Sequence, residues 1–382
     1  MTTKNSTRRI LLCATGMSPQ VVTETLYALA VKPPKGKAPW IPTEVHLVST
    51  GKGAEHARLN LLSDQPGWFH RLCSDYRLPH IAFETGHIHR LTDDAGQVLD
   101  DIRTPAENEA MANQFAQLVR SFTEASGTEL HVSIAGGRKT MGYYLGYALS
   151  LFGRPQDRLS HVLVSSPFEA HPEFYYPTPY ERVIHTRDPQ APQAADCQHA
   201  QVDLAEIPFV RLRDGLPERL QTGAASFTET VEAANRALGS VQLGIDLRTH
   251  RVTVNGDTEI DLGDRGFPLY AWLAHRALDG RPEVSLRDPK NTDWRDELLP
   301  LAKRLYGPDS AAFEALESAL QGNDKHGGGV SYYLGPIVTR VNTKLTSVLG
   351  RPLALRCAIE SHGRRGDTRY RLPQGLDIQI TR

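Results

Sequence analysis

At 382 residues the chain is longer than one ordinary core organises, so two domains are expected. Its composition, 40% hydrophobic and 23% charged, is that of a soluble globular protein, and no apolar run approaches the roughly 20 residues needed to cross a membrane. A net charge of −1 offers nothing in favour of a general nucleic-acid coat, and four cysteines without CxxC spacing suggest neither a disulfide framework nor a zinc site.

The polar start, Met1 to Arg9, lacks the apolar core of a signal peptide, so a cytoplasmic protein is expected. Residues 9–14 form a short apolar run closed by Gly16, the pattern of a buried parallel strand. Pro19 then suits the first turn of a helix whose apolar face carries Val21, Val22, Leu26, Leu29 and Ala30. A second strand is expected over Glu44–Thr50, helices over about 53–77, a third strand over His80–Glu84, and a long amphipathic helix from Pro105 to about Ala125. Glu129–Ile134 and Leu159–Val164 complete the strands, with a helix over Met141–Phe152 between them. Strand and helix alternate, which predicts a Rossmann-like α/β domain with a parallel sheet covered on both faces.

In such sheets ligands bind beyond the carboxyl ends of the strands, where two glycine turns fall. Ala135-Gly136-Gly137-Arg138-Lys139-Thr140 can aim backbone N–H groups at an anion, with Arg138 and Lys139 as added donors. Thr15-Gly16-Met17-Ser18-Pro19 makes a second such turn, in which Ser18 is either a helix cap or a ligand donor. Each turn alone reads equally as a tight connection with solvated side chains; two on one sheet favour a shared anion pocket. Neither has GxGxxG spacing, and GxxxxGK[ST], HExxH and paired carboxylates for two metals are missing. The pair His87 and His89 could ligate a metal, but two histidines in a polar loop are usually surface residues, and no metal or cofactor is expected. Tyr143, Tyr144 and His161 are near enough in sequence to be candidate general bases, though tyrosines at helical spacing are more often core.

Residues Ala14–Thr25, the run Asp101-Ile102-Arg103-Thr104 with Glu107-Asn108, and Ile134–Met141 together resemble the CRISPR-associated Rossmann fold (CARF) proteins, and among them the stand-alone ring nucleases of type III systems. The resemblance covers about residues 8–185. It implies a homodimer whose joined pockets hold a cyclic oligoadenylate, usually cyclic tetra-adenylate, and cleave it without metal. By the same resemblance Ser18 and Lys139 lie at the scissile phosphate and Arg103 acts as a cation over the ring; read alone, Arg103 equally pairs with Asp100 or Asp101 on the surface. The implied ligand contacts are Thr15, Gly16, Met17, Gln20, Thr50, Ala135, Gly136, Gly137, Arg138, Thr140 and Met141. Ring-opening by a ribose 2′-OH would end the second-messenger signal, leaving di-adenylates with 2′,3′-cyclic phosphate.

The expected layout is a CARF domain over 1–185, a linker and bridging helix over 186–240, and a smaller α+β domain over 241–382. That last segment has alternating strands around Asn255-Gly256, a hairpin signal, then helices over about 265–278, 294–306, 310–321 and 331–349. A β-hairpin, Ala354–Ser361 with Thr368–Leu372, closes it. Helices followed by a basic hairpin resemble a winged helix-turn-helix. From Val338 onward nine Lys/Arg stand against three acids, and Arg340, Lys344, Arg364, Arg365 and Arg369 are candidate DNA contacts. The plainer alternative is a dimerisation domain with a solvated basic edge, since Val241–Arg382 holds 20 basic and 18 acidic residues. Two functions follow: a ring nuclease, or a cyclic-oligoadenylate sensor that regulates transcription without cleavage. A ribonuclease effector is disfavoured, because Arg356 and His362 have Arg-x₄₋₆-His spacing but fall on the hairpin.

Overall fold

The computed structural model describes residues 7–186, 192–217, 220–221, 225–236, 241–256, 258–281, 283–285, 294–325, 330–363 and 368–382. The chain divides into two units, Met1–Arg213 with Gln221–Val231, and Asp214–Leu220 with Glu232–Arg382. Among the described residues no helix is long and apolar enough to cross a membrane.

The first unit is mixed α/β around a six-stranded sheet. Its strands are β1 (Arg8–Ala14), β2 (Glu44–Ser49), β3 (Ile88–Arg90), β4 (Thr128–Ser133), β5 (Arg158–Val164) and β8 (Val202–Glu206). Their order is β3-β2-β1-β4-β5-β8, parallel except for β8, which runs antiparallel to β5. β1 pairs on one side with β2 and on the other with β4. The order therefore reverses between β1 and β4, and a crevice opens beyond their carboxyl ends. The apolar run that marks β1 is buried from Ile10 to Ala14, as a strand covered on both faces requires.

Helix α1 (Gln20–Ala30) departs from the expected amphipathic pattern, since all of its residues are buried, polar ones included. Phe168, Phe174, Tyr175 and Tyr176 share a core with Val22 and Leu26, so the stretch after β5 contributes to the cover. Glu24 is enclosed as well, and its carboxyl is pushed up to about 8 by burial, with the Glu169 charge adding to the effect.

Two expectations are corrected here. His80–Glu84 forms no strand of its own; Ala82 makes a single bridge to Glu44, and the edge strand is Ile88–Arg90, because β2 offers its last residues, Leu47 to Ser49, to that later segment. Residues 186–240 are not simply a linker. Ala194–Asp196 (β7) pairs with Val183–His185 (β6), and β8 closes the sheet. The Phe227 ring, at the start of the helix Phe227–Arg236, packs on Tyr144 and Tyr147, and its N–H donates to Asn113 Oδ1 (2.8 Å).

The second unit holds a four-stranded sheet, β11-β10-β9-β15, built from Gln242–Asp246 (β9), Arg251–Val254 (β10), Thr258–Ile260 (β11) and Asp377–Thr381 (β15). Asn255 and Gly256 take the positive φ values (56° and 78°) that their turn signal demands. Helices Gly263–Leu278, Leu299–Tyr306, Ala311–Lys325 and Val330–Leu349 supply Phe267, Trp272, Leu301, Leu316 and Val341 to a separate core. A three-stranded antiparallel sheet, β12-β14-β13, joins Val284–Ser285 (β12), Glu360–His362 (β13) and Arg369–Arg371 (β14). The strand expected from Ala354 starts only at Glu360. Residues Arg351–Leu355 are helical behind Gly350 (φ 77°), with Pro352 in their first turn. The Asn342 amide then pins Ile359 through both its N–H and its carbonyl (2.9 Å each).

Candidate functional site

Each turn at the switch point is built by local hydrogen bonds. In the first, Thr15 N–H donates to Val48 O (3.1 Å), tying the end of β1 to β2, and the Thr15 hydroxyl donates to Ser18 O (2.7 Å). In the second, Gly137 sits at φ +85°, a conformation that favours glycine, and turns the chain into α5 (Lys139–Phe152). Gly136 is enclosed: a Cβ there would meet Ala14 O and Val21 Cγ2 at 3.0 Å and Thr15 Oγ1 at 3.1 Å. A Cβ on Gly16 would lie 3.7 Å from Gly137 Cα, so the two turns are neighbours in space.

A third turn joins them. Thr50-Gly51-Lys52-Gly53 opens the short helix α2 (Gly51–Ala57), with the Thr50 hydroxyl accepting from Gly53 N–H (3.3 Å). Gly53 packs against the Gly16 carbonyl, 2.6 Å from where its Cβ would stand. Together the three turns border an open cavity of about 430 Å³.

Of the residues expected from sequence, Gly16, Met17, Ser18, Thr50, Arg103, Gly137, Arg138 and Met141 line this cavity. Lys139 is exposed at the first residue of α5, beside the lining residues but not among them, and Thr140 is likewise exposed. Thr15, Ala135 and Gly136 support the turns from behind. Gln20 turns away, burying its amide, which donates to His171 O (3.3 Å). Tyr144 takes a hydrogen bond from the Asn108 amide (2.8 Å) and packs on Phe227, so it lies outside the lining, as do His161 and Tyr143, the last exposed rather than core.

Lys52, Asp100 and Asp101 complete the cavity wall; Lys52 was not singled out from sequence, and the two acids only as surface partners of Arg103. The available signal was that Thr50-Gly51-Lys52-Gly53 repeats the glycine-turn pattern at the end of a third strand. Asp101 organises the cations. Its carboxylate takes two bonds from the Arg138 guanidinium (2.8 and 2.6 Å) and a longer one from Arg103 Nε (3.4 Å). Arg138 first, then the Ile102 N–H, holds the Asp101 carboxyl below its usual range. Lys52 approaches Asp100 at 3.7 Å. Three cations against two acids leave the wall net positive, and every charged group is at least partly in solvent, where a multivalent anion can compete for it.

In the second unit, Arg340 and Lys344 are exposed one turn apart on the helix Val330–Leu349. Arg369 approaches Glu283 (3.8 Å), and Arg371 bonds Glu360 (2.8 Å). Arg364 and Arg365 lie outside the described residues.

Fold and site together define a class: a mostly parallel α/β protein whose cationic pocket sits at the β1/β4 switch point. The family model described as CRISPR-associated protein NE0113 (Cas_NE0113) matches residues 18–240, more than half of the chain, and the chain belongs to that family. No curated protein matches it. Among solved structures, Enterococcus italicus Csm6 bound to cyclic hexa-2′-fluoro-hexa-dAMP aligns at 15% identity over 42% of this chain and 34% of that one, with a TM-score of 0.24. The aligned part is about a third of that chain, and so slight a likeness carries no argument about ligand or mechanism.

Proposed function

We propose that this CRISPR-associated protein is a homodimeric ring nuclease of type III systems that binds cyclic tetra-adenylate and opens it without metal. The observation that carries the reading is the convergence of three strand-end turns on one cavity, two of which bring Arg138 and Lys52 to a wall of close-approaching glycines, with Arg103 joining from the segment before the helix Pro105–Glu124. Backbone N–H groups at the starts of α2 and α5 and cationic side chains are what phosphodiester oxygens require. One cavity is of small-ligand size, too small for a four-nucleotide ring, so a two-fold pair would supply its matching half. Met17 (61% exposed), Tyr143 (63%) and the stacked pair Tyr143–Tyr147 (5.8 Å) give the surface beside the cavity an apolar character suited to a second copy.

The chemistry uses the nucleophile that RNA carries. A ribose 2′-oxygen attacks the adjacent phosphorus, its proton departs, the P–O5′ bond breaks and the 5′-oxygen takes up a proton. A 2′,3′-cyclic phosphate and a 5′-hydroxyl result. In this reading Ser18 positions the scissile phosphate, and Lys139 and Arg138 stabilise the charge gathering on phosphorus. Turnover is slow in this reading, since the carboxylates on the wall, Asp100 and Asp101, are engaged by Lys52, Arg103 and Arg138 rather than free to take a proton.

The test is incubation with labelled cyclic tetra-adenylate in chelator. Di-adenylate products ending in 2′,3′-cyclic phosphate are expected, and Lys139→Ala and Ser18→Ala should each reduce cleavage on the order of a hundredfold while retaining binding. A tightly bound but intact ring would leave the protein a sensor.

A second reading concerns the output. The order β12-β14-β13, with helices between β12 and β13, supports a winged-helix domain in which Val330–Leu349 presents Arg340 and Lys344 to DNA phosphates. Ring-dependent binding to promoter DNA in a gel shift tests it.

A further inference from the structure

Away from the cavity wall, β2 and the turn before β3 bring together side chains that the proposed chemistry does not use. Glu44 and His46 are two residues apart on β2 and so share one face of the sheet. The turn Thr85–His87, which leads into β3, carries His87 to the same place, its ring 4.6 Å from that of His46 between centroids. One ligand atom from each of Glu44, His46 and His87 lies within 4.8 Å of the others. Among the described residues this is the group of three so placed.

We propose that Glu44, His46 and His87 form a binding site for a divalent transition metal of the zinc class. Two imidazoles and a carboxylate are a donor set for such ions, with bonds of about 2.0–2.2 Å and hence ligand atoms about 3.3 Å apart. Glu44 Oε2 and His46 Nε2 already stand 3.1 Å apart. The remaining approach is a small swing of His87, which is half-buried at the end of its turn.

The surrounding groups fit ligation rather than mere packing. His46 Nδ1 lies 2.9 Å from His89 Nε2. With the proton on Nδ1 and donated to His89, the His46 Nε2 lone pair faces Glu44 and His87, the support that a metal-bound imidazole takes from its other nitrogen. Arg8 grips the Glu44 carboxylate through Nε and Nη2 and fixes its orientation. Phe122 covers the His46 ring at 4.7 Å and keeps solvent from that side. Without metal the same groups make a hydrogen-bonded chain, Arg8–Glu44–His46–His89, in which a proton is shared between Glu44 and His46. When the ion takes that proton's place, the proton between the rings passes from His89 Nε2 to His46 Nδ1, and the displaced proton is taken up at His89 Nδ1, so both imidazoles stay neutral. His87 ligates through Nε2 and gives up a long contact in which its Nδ1 accepts the Glu84 N–H (3.2 Å).

The full-length protein, stripped with chelator and dialysed, is titrated with Zn²⁺ by calorimetry and with Co²⁺ by visible absorption. One equivalent per chain is expected, with Co²⁺ bands of a low-coordinate nitrogen–oxygen site. His87→Gln, at a half-exposed position that the core does not need, and Glu44→Gln should each weaken Zn²⁺ binding about tenfold or more, and His89→Gln about tenfold through the second nitrogen of His46. Ser18→Ala and Lys139→Ala should bind the metal as wild type does, so this test stands apart from the ring-nuclease reading. Absence of stoichiometric binding by wild type, or equal binding by wild type and the folded His87→Gln and Glu44→Gln variants, overturns the proposal.

Discussion

The two units treat their cations in opposite ways. In the first, Arg138, Arg103 and Lys52 come from three separate segments and meet on one cavity, where Asp101 and Asp100 hold them. In the second, Arg340 and Lys344 project from one helix into solvent, and Arg369 and Arg371 meet Glu283 and Glu360 along a short sheet. Convergence of this kind follows from a parallel sheet with a reversal in strand order, because only there do turns from distant segments share one edge. Cations in a row along a helix or hairpin suit a long polyanion; cations in a ring around glycines suit a small one.

The strongest way to break this contrast is Arg138→Ala. Loss of a forked guanidinium from the cavity should weaken cyclic tetra-adenylate binding about ten- to a hundredfold, measured by calorimetry. An unchanged affinity would mean that the cavity is not where the ring sits. In the second unit the double change Arg340→Ala with Lys344→Ala should weaken DNA binding about equally across sequences and reduce the salt slope by about 2. A base-specific effect would instead place that helix in a groove.

A smaller effect sharpens the comparison from inside the cavity. Asp101→Asn frees Arg138 and Arg103 from their carboxylate and should tighten ring binding by roughly two- to tenfold, since the ligand no longer displaces an internal anion. Weaker binding would show that Asp101 serves to aim Arg138. Smallest of all is a change in stability. Glu24 titrates near 4.5 when unfolded and about 8 in the fold, so between those values the folded chain keeps a proton that the unfolded chain has lost. Stability therefore falls as pH rises through that window. Glu24→Gln should raise the melting temperature by several degrees at pH 8.5 and leave it nearly unchanged at pH 4.5. A gain of equal size at both values would assign the effect to packing rather than to charge.

Much of the first unit was legible because its signals are local. The apolar run at 9–14, Pro19 at the start of α1, and Pro105 at the start of the helix Pro105–Glu124 each act within one turn. The same holds for the two glycine turns and for the Asn255-Gly256 hairpin. His80–Glu84 misled because its apolar alternation is that of a strand while its partner was unknown; only the sheet shows that β2 continues past it to Ile88. The strand expected at Ala354 gave way to a helix for a similar reason, since Asn342 on a distant helix decides where Ile359 goes.

What the sequence by itself determined was the alternation of strands and helices and the presence of glycine turns able to face an anion, because backbone geometry and helix starts are governed by neighbouring residues. Only the tertiary structure decided that β1 and β4 lie side by side, that Lys52 joins the same cavity, that Asp101 rather than a ligand holds Arg138 in the free chain, and that Glu44, His46 and His87 meet. Those are contacts between segments far apart in the chain. They are set by strand order and by which faces must be buried, and no local pattern encodes either.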